Sequence, residues 1–267
     1  MNKIGLIAGN GVFPLEVARA ARSRGLTVIA IAHSGETDPA LSTLADEITW
    51  IKIGELQRMI EVFRSAGVKN AAMAGGITRA RLADSFAPDA RAMAMLSRIG
   101  RFGDDSILRA VAGEIESEGI TVIDPVPMLD KILADPGLGA GPAPSAAQLE
   151  DLQVAFEILR SVGRFDIGQV VAIRDGLVGA VEAVEGTDAA MRRAAALLGR
   201  GLVIAKAAKS SQDLRFDRPA IGVATIELLS DIGAALIGVE AGKAMILERQ
   251  RTVERANALG VAVYGYE

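Results

Sequence analysis

Lys206, Lys209, Gln212, Asp213, Arg215 and Asp217 crowd one short segment of a chain that is otherwise half apolar. Cationic side chains neutralise phosphate oxygens, and carboxylates supply hard oxygen ligands to Mg²⁺ or Mn²⁺. The 206–219 segment therefore reads as a site for a phosphorylated ligand held with a divalent metal, against the alternative of a charged, solvated loop. A second cluster lies upstream, where Glu185-Gly186-Thr187-Asp188 leads into Arg192 and Arg193. Thr187 or Asp188 also suits a helix N-cap. Arg192 and Arg193 fall in the first turns of that helix and oppose its dipole, so an anionic partner suits them better than the helix does.

Three glycine-bearing turns in the first half offer backbone donors. Gly9-Asn10-Gly11-Val12-Phe13-Pro14 stands between a strand and a helix, where N–H groups and the helix N-terminus hold a phosphate. A plain tight turn with Pro14 opening the helix is the alternative. The run departs from the dinucleotide fingerprint, because Pro14 replaces the third glycine and the second strand ends Ala32-His33-Ser34 without an acidic residue. A redox dinucleotide, and with it a small-molecule dehydrogenase, is disfavoured. Gly75-Gly76-Ile77-Thr78-Arg79 follows the fourth strand; its glycines let backbone approach a ligand, while Thr78 and Arg79 can contact phosphate or sugar. Gly103-Asp104-Asp105 precedes a helix, and an N-cap at Asp105 leaves Asp104 as a metal ligand or hydrogen-bond acceptor.

The elements that must position these residues alternate. Strands are expected over 4–8, 27–32, 47–51, 71–74 and 121–123, and helices over 15–24, 55–66 and 105–118. Such alternation implies a parallel sheet covered by helices, with ligands at the carboxyl ends of the strands. The 134–144 segment, with three prolines and three glycines, reads as an exposed linker. Ser145 then caps a helix over 147–162. Strand runs at 169–173 and 177–182 flank an Asp175-Gly176 hairpin turn. A helix over 188–198, a strand over 202–207 and a helix over 223–230 follow. Strands at 236–240 and 243–247 meet at Ala241-Gly242, and a helix over 248–259 and a strand over 261–266 end the chain. The fold class is α/β in two domains: an N-terminal Rossmann-like parallel sheet over 1–133 and a C-terminal mixed sheet with helices over 145–267.

Composition removes whole classes of function. The net charge of −4 argues against nucleic-acid binding, which needs a basic face. With no cysteine there are no disulfides, thiol nucleophiles or zinc–thiolate sites. The single histidine, His33, excludes a His-rich dinuclear centre and reads as a strand-end residue rather than a catalyst. Any metal is then held by carboxylates, hence Mg²⁺ or Mn²⁺. No apolar run approaches the ~20 residues of a membrane span. The N-terminus enters a strand without a signal-peptide layout, so a cytoplasmic protein is expected.

Taken in order, the Gly9–Pro14 turn, Ala74–Arg79, Gly103-Asp104-Asp105, Glu185–Asp188 and the 206–217 pattern resemble one family. It is the UDP-2,3-diacylglucosamine pyrophosphatases of lipid A biosynthesis, in the form unrelated to the metallophosphoesterases. The likeness extends through Pro219-Ala220-Ile221-Gly222 and Glu240-Ala241-Gly242. It implies metal-dependent hydrolysis of a lipid-linked UDP-sugar to UMP and 2,3-diacylglucosamine 1-phosphate, with the substrate between two domains. The aspartate before the family's Pro-x-Ile-Gly motif matches Asp217, which the resemblance makes indispensable. On this reading Asp188, Asp213 and Asp217 include the metal ligands or the water-orienting base. Arg192, Lys206, Lys209 and Arg215 bind the two phosphates. Gly11, Phe13, Pro14, Gly75, Gly76, Thr78, Arg79 and Asp104 belong to the nucleotide side, and Thr187, Gln212, Glu240 and Gly242 complete the substrate contacts. A homodimer and transient contact with the inner membrane are implied with it. The alternative is a nucleotide-sugar-binding protein without catalysis.

Overall fold

β1 (Lys3–Ala8) is buried at every position but its first, as befits the central strand of a parallel sheet covered on both faces. The computed structural model describes residues 2–78, 86–99, 103–165, 167–209 and 212–267. These fall into two compact units, one of Met1–Asp130 with Asp213–Asp217, the other of Lys131–Gln212 with Arg218–Glu267. The chain thus leaves the second unit after Gln212, gives five residues to the first, and returns at Arg218.

In the first unit β1, β2 (Thr27–His33), β3 (Glu47–Ile51), β4 (Asn70–Ala74) and β5 (Thr121–Val122) form one parallel sheet, ordered β3-β2-β1-β4-β5. Helices α2 (Leu56–Ser65), α3 (Ala90–Leu96) and α4 (Asp104–Glu116) share one core with Ile7, Ile29, Ile31 and Met73. α1 (Phe13–Ser23), begun by Phe13 and Pro14, contacts β1 and β2 and buries Val17, Ala18 and Ala21. The strand order reverses between β1 and β4, so the loops leaving these two strands open the crevice where such sheets bind ligands.

The second unit holds a six-stranded mixed sheet ordered β6-β13-β11-β9-β7-β8. β9 (Val203–Lys206), β11 (Leu236–Glu240) and β13 (Ala262–Tyr266) are parallel, while β6 (Gly137–Ala140) and β7 (Val170–Arg174) run antiparallel to their neighbours. α5 (Ala146–Val162) packs Leu152 and Phe156 on one face. α6 (Thr187–Leu198), α7 (Val223–Asp231) and α8 (Arg249–Leu259) cover the other through Met191, Ile226 and Ala256. Ser145 caps α5 as expected, and the structure completes a capping box with Gln148. β7 and β8 (Leu177–Val181) form the expected hairpin, and its turn residues Asp175 (φ 51°) and Gly176 (φ 78°) take the left-handed pair a type I′ turn requires.

Two expectations need correction. The 134–144 segment is no mere connection: it carries β6, an edge strand on β13, where glycine and flanking prolines are tolerated because one side of the ladder stays unpaired. The 243–247 strand does not pair with β11. Ala244 N donates to Glu240 O at 2.9 Å, a helical turn rather than a hairpin reversal. β12 (Met245–Ile246) leaves to join β10 (Ala220–Ile221) in a separate two-stranded parallel sheet. Among the described residues no helix is long and apolar enough to cross a membrane.

Candidate functional site

At the β1–β4 switch the two glycine turns lock together. Gly9 N donates to Ala74 O and Asn10 N to Gly76 O, both at 2.8 Å. A Cβ on Gly9 would stand 2.2 Å from Gly76 O, and one on Gly75 (φ 80°) 2.3 Å from Asn10 O. Only glycine permits this approach. Asn10 staples the pair: its Oδ1 accepts from Gly76 N at 3.3 Å, and its Nδ2 donates to Thr78 Oγ1 at 3.2 Å and to Glu36 at 3.0 Å. Glu36 also accepts from the Thr78 amide and hydroxyl, at 3.2 and 3.0 Å. Neither Asn10 nor Glu36 stands among the residues expected from sequence. The signal for Glu36 was an acidic residue three places past β2, not at its end. Gly11 (φ 79°) is exposed with open space around it, whereas Phe13 and Pro14 are buried in the core under α1. Arg79 lies outside the described residues.

His33 ends β2 with Nδ1 2.9 Å from Ala8 O, the carbonyl that also accepts from Thr37 Oγ1 at 2.6 Å. Burial pushes the imidazole below its ordinary value of 6.5, so the neutral ring is the folded form. The unfolded chain therefore takes up this proton first as pH falls. The stability owed to His33 is complete above pH 6.5 and is lost progressively as pH drops toward the depressed folded value. Because the chain has one histidine, His33→Gln is expected to remove that slope. Urea titrations between about pH 5.5 and 7.5, followed by the fluorescence of the single tryptophan Trp50 on β3, measure it in this unit.

The Asp213–Asp217 turn belongs to the same unit. Asp213 accepts from Arg215 Nε at 3.1 Å and Nη2 at 2.9 Å, and lies 3.5 Å from Arg109 Nη1. The Arg215 guanidinium holds the Asp213 carboxyl below its ordinary range, so Asp213 stays ionised. Arg215 reaches further, to Glu116 at 2.9 Å and Val122 O at 3.3 Å, and Phe216 packs against the core. Asp213 N donates to Asp105 Oδ1 at 3.0 Å. The N-cap of α4 is Gly103, which corrects the capping role expected of Asp105: a residue two places into the helix aims its carboxylate outward. Asp104 opens α4, and its side chain lies outside the described residues.

In the second unit three of the expected residues, Thr187, Lys209 and Gln212, join one hydrogen-bonded chain. Thr187 Oγ1 donates to Glu182 at 3.0 Å, and Glu182 accepts from Gln169 N at 3.0 Å. Gln169 Nε2 donates to Gln212 Oε1, which also accepts from Lys209 N, both at 2.9 Å. Gln212 is only 9% exposed, and its Nε2 is a buried donor without a partner among the described residues. Glu240 ends β11, accepts from Ala208 N at 3.2 Å and pairs with Lys243 at 2.8 Å. Lys206 ends β9 with Nζ on Ala220 O at 2.8 Å, and Gly242 (φ 71°) is an open turn. Gly186 (φ 84°), not Thr187 or Asp188, caps α6, because only glycine enters the helix from that backbone region. Asp188 and Arg192 are exposed on its first turns, and Arg192 makes no ion pair among the described residues. Arg193 instead pairs with Glu185 at 2.7 Å. Glu182 and Gln169, which bind this chain together, were not singled out in the sequence.

A divalent metal fits these residues poorly within either unit. Asp213 and Asp217 belong to the first unit and Asp188 to the second, and the Asp213 oxygens already face two guanidinium groups. Among the described residues no group of three or more His, Asp or Glu side chains is placed to hold an ion.

A family model described as the LpxI N-terminal domain matches residues 3–132, and one described as the LpxI C-terminal domain matches residues 135–264. The UDP-2,3-diacylglucosamine pyrophosphatase LpxI of Caulobacter vibrioides is 35% identical over 280 residues, covering 100% of this chain and 98% of that protein. Among solved structures, the biotin carboxylase subunit of a pyruvate carboxylase matches at 16% identity over 64% of this chain and 35% of its own, with a TM-score of 0.28. Phosphoribosylglycinamide synthetase from Anaerococcus prevotii matches at 15% identity over 69% of this chain and 40% of its own, with a TM-score of 0.29. The chain spans well under half of either, and overlaps that slight carry no argument. Two domain models that together take in nearly the whole length, and a relative aligned from end to end, carry the assignment: this chain belongs to the LpxI family.

Proposed function

We propose that this chain hydrolyses the pyrophosphate bond of UDP-2,3-diacylglucosamine, releasing UMP and 2,3-diacylglucosamine 1-phosphate for lipid A biosynthesis. The observation that carries the reading is the full-length alignment with a relative named for this activity. Water adds across the P–O–P bridge: its oxygen bonds to one phosphorus, and the bridging oxygen leaves on the other. We assign Asp217 the water-orienting and proton-accepting role, because it stands where the family's aspartate precedes the Pro-x-Ile-Gly motif, here Pro219-Ala220-Ile221-Gly222. Lys206, Lys209 and Arg192 bind phosphate oxygens, and the buried Gln212 Nε2 donor is satisfied by another. The Gly9–Gly11 and Gly75–Thr78 turns hold the nucleotide portion.

Mg²⁺ or Mn²⁺ accompanies the reaction in this proposal, supplying charge neutralisation on the pyrophosphate. Among the described residues the carboxylates do not assemble a cage for it in either unit, so no step is assigned to the ion. A homodimer in the cytoplasm, meeting its amphiphilic substrate at the inner membrane, completes the reading. Incubation with UDP-2,3-diacylglucosamine and either metal, followed by phosphorus NMR, is expected to show two phosphomonoester signals replacing the pyrophosphate pair. Chelation with EDTA is expected to stop it. Binding without turnover supports the non-catalytic alternative, and turnover in EDTA removes the metal.

A further inference from the structure

We infer that Asp105 and Arg109, on α4, are positioning residues for hydrolysis: they hold the 213–217 turn, and through it the Asp217 carboxylate. The inference rests on the role proposed above for Asp217.

The turn is built around Asp213. Asp217 N donates to Asp213 O at 3.1 Å and Phe216 N to the same oxygen at 3.3 Å, while Asp213 Oδ1 accepts from Arg215 N at 3.1 Å. Fixing Asp213 therefore fixes Asp217, one hydrogen-bonded turn later. Asp105 and Arg109 grip Asp213 at both ends. Asp105 Oδ1 takes its backbone N–H at 3.0 Å; Asp105 Oδ2 accepts from Arg109 Nε at 2.6 Å; and Arg109 Nη1 lies 3.5 Å from Asp213 Oδ2. The three residues close a ring. Its two carboxylates are largely shielded, at 15% and 14% side-chain exposure, whereas Arg109 is 46% exposed, so the Asp105 hydrogen bond to the Asp213 amide is the stronger hold and the 3.5 Å Arg109–Asp213 pair the weaker. Within the turn Arg215 pairs with Asp213 at 2.9 Å, and its outward pair with Glu116 is exposed at 39% and 40%, where an ion pair contributes little.

The i,i+4 Asp105–Arg109 pair also supports α4, but helix stability does not explain the reach of Asp105 to the Asp213 amide. A carboxylate in the first turn of a helix ordinarily caps amides of that helix, yet Gly103 is the cap here and both Asp105 oxygens point to groups other than the α4 amides. The Asp105 hydrogen bond also raises the already high pKa of Arg109, so its guanidinium stays charged. A reacting carboxylate misplaced by ~1 Å loses about a hundredfold in rate, so a rigid seat for this turn has kinetic consequences.

The test is steady-state kinetics on UDP-2,3-diacylglucosamine with the full chain. Asp105→Ala is expected to lower kcat about 10- to 100-fold with KM within about twofold, because the lost contact positions the reacting group rather than the substrate. Asp105→Asn keeps an oxygen for the Asp213 amide and is expected to recover most of that loss. Hydrogen exchange at the 213–217 amides is expected to speed up in Asp105→Ala while β1 and β4 stay protected. A wild-type kcat in Asp105→Ala, or exchange that rises equally across the sheet, overturns the inference. Should Asp105→Ala not fold, Arg109→Gln is held to the same kinetic and exchange outcomes. Asp217→Asn is run beside them. Full turnover there removes the role proposed for Asp217; an inactive Asp217→Asn with a normal Asp105→Ala removes only the positioning role.

Discussion

Asp217→Ala is expected to lower turnover by about a thousandfold or more, equivalent to ~4 kcal/mol of transition-state stabilisation, while leaving a folded protein. Removing a group that both orients and deprotonates the attacking water costs this much because position and proton acceptance are lost together. Asp213 is held ionised by Arg215, and its charge already balances two guanidinium groups. Alanine keeps the Asp217 backbone N–H that closes the turn. The Trp50 unfolding transition is therefore expected to move by less than about 1 kcal/mol. Asp217→Asn preserves the shape and removes the charge, and is expected to be as inactive as Asp217→Ala. UMP release under saturating substrate measures both variants, and calorimetry with the alanine variant is expected to show substrate binding retained. Turnover within tenfold of wild type in either variant would take Asp217 out of the chemistry.

The sequence carried the strands and helices well, because fully buried parallel strands leave uninterrupted apolar runs such as Ile4–Ala8 and Val28–Ala32. It also carried the features that have a chemical signature, the Asp175-Gly176 turn and the Ser145 N-cap. It misled where local composition outweighed pairing. Gly137–Ala140 looked like a linker but pairs with β13, and the 243–247 run looked like half a hairpin but pairs with β10. Such partners lie more than twenty residues away and leave no mark on the local pattern. The same blindness applied to the site. Asp213, Arg215 and Asp217 stood out by charge, but nothing in the chain told that they fold into the first unit, 108 residues from the Asp105 carboxylate that receives the Asp213 amide. Glu36 and Asn10 were missed for a related reason: their value comes from Thr78 and Gly76, brought beside them only when β1 and β4 pair.

That pairing makes Gly9 and Gly75 sterically critical backbone positions of the first unit. Gly75→Ala is expected to destabilise it by about 3 kcal/mol, combining a left-handed φ of 80° with a methyl 2.3 Å from Asn10 O. Gly9→Ala meets the Gly76 carbonyl at 2.2 Å and is expected to cost a similar amount through the clash alone. The obstructing atoms are backbone, tied by Gly9 N–Ala74 O and Asn10 N–Gly76 O, so relief requires breaking the lock rather than turning a side chain. Gly11→Ala is the internal control. Its φ of 79° is equally left-handed, but nothing lies within 4 Å, so only about 1 kcal/mol is expected. Urea unfolding read by Trp50 fluorescence reports this unit selectively, since the one tryptophan is on β3. The difference between Gly75→Ala and Gly11→Ala isolates the steric lock from the backbone strain that both share. Equal transitions for the two would show that the turns do not hold each other. If the lock also shapes the nucleotide seat, Gly11→Ala, stable but with a methyl in the open turn, raises KM for the UDP-sugar, whereas Gly75→Ala loses kcat and KM together as the turn itself comes apart.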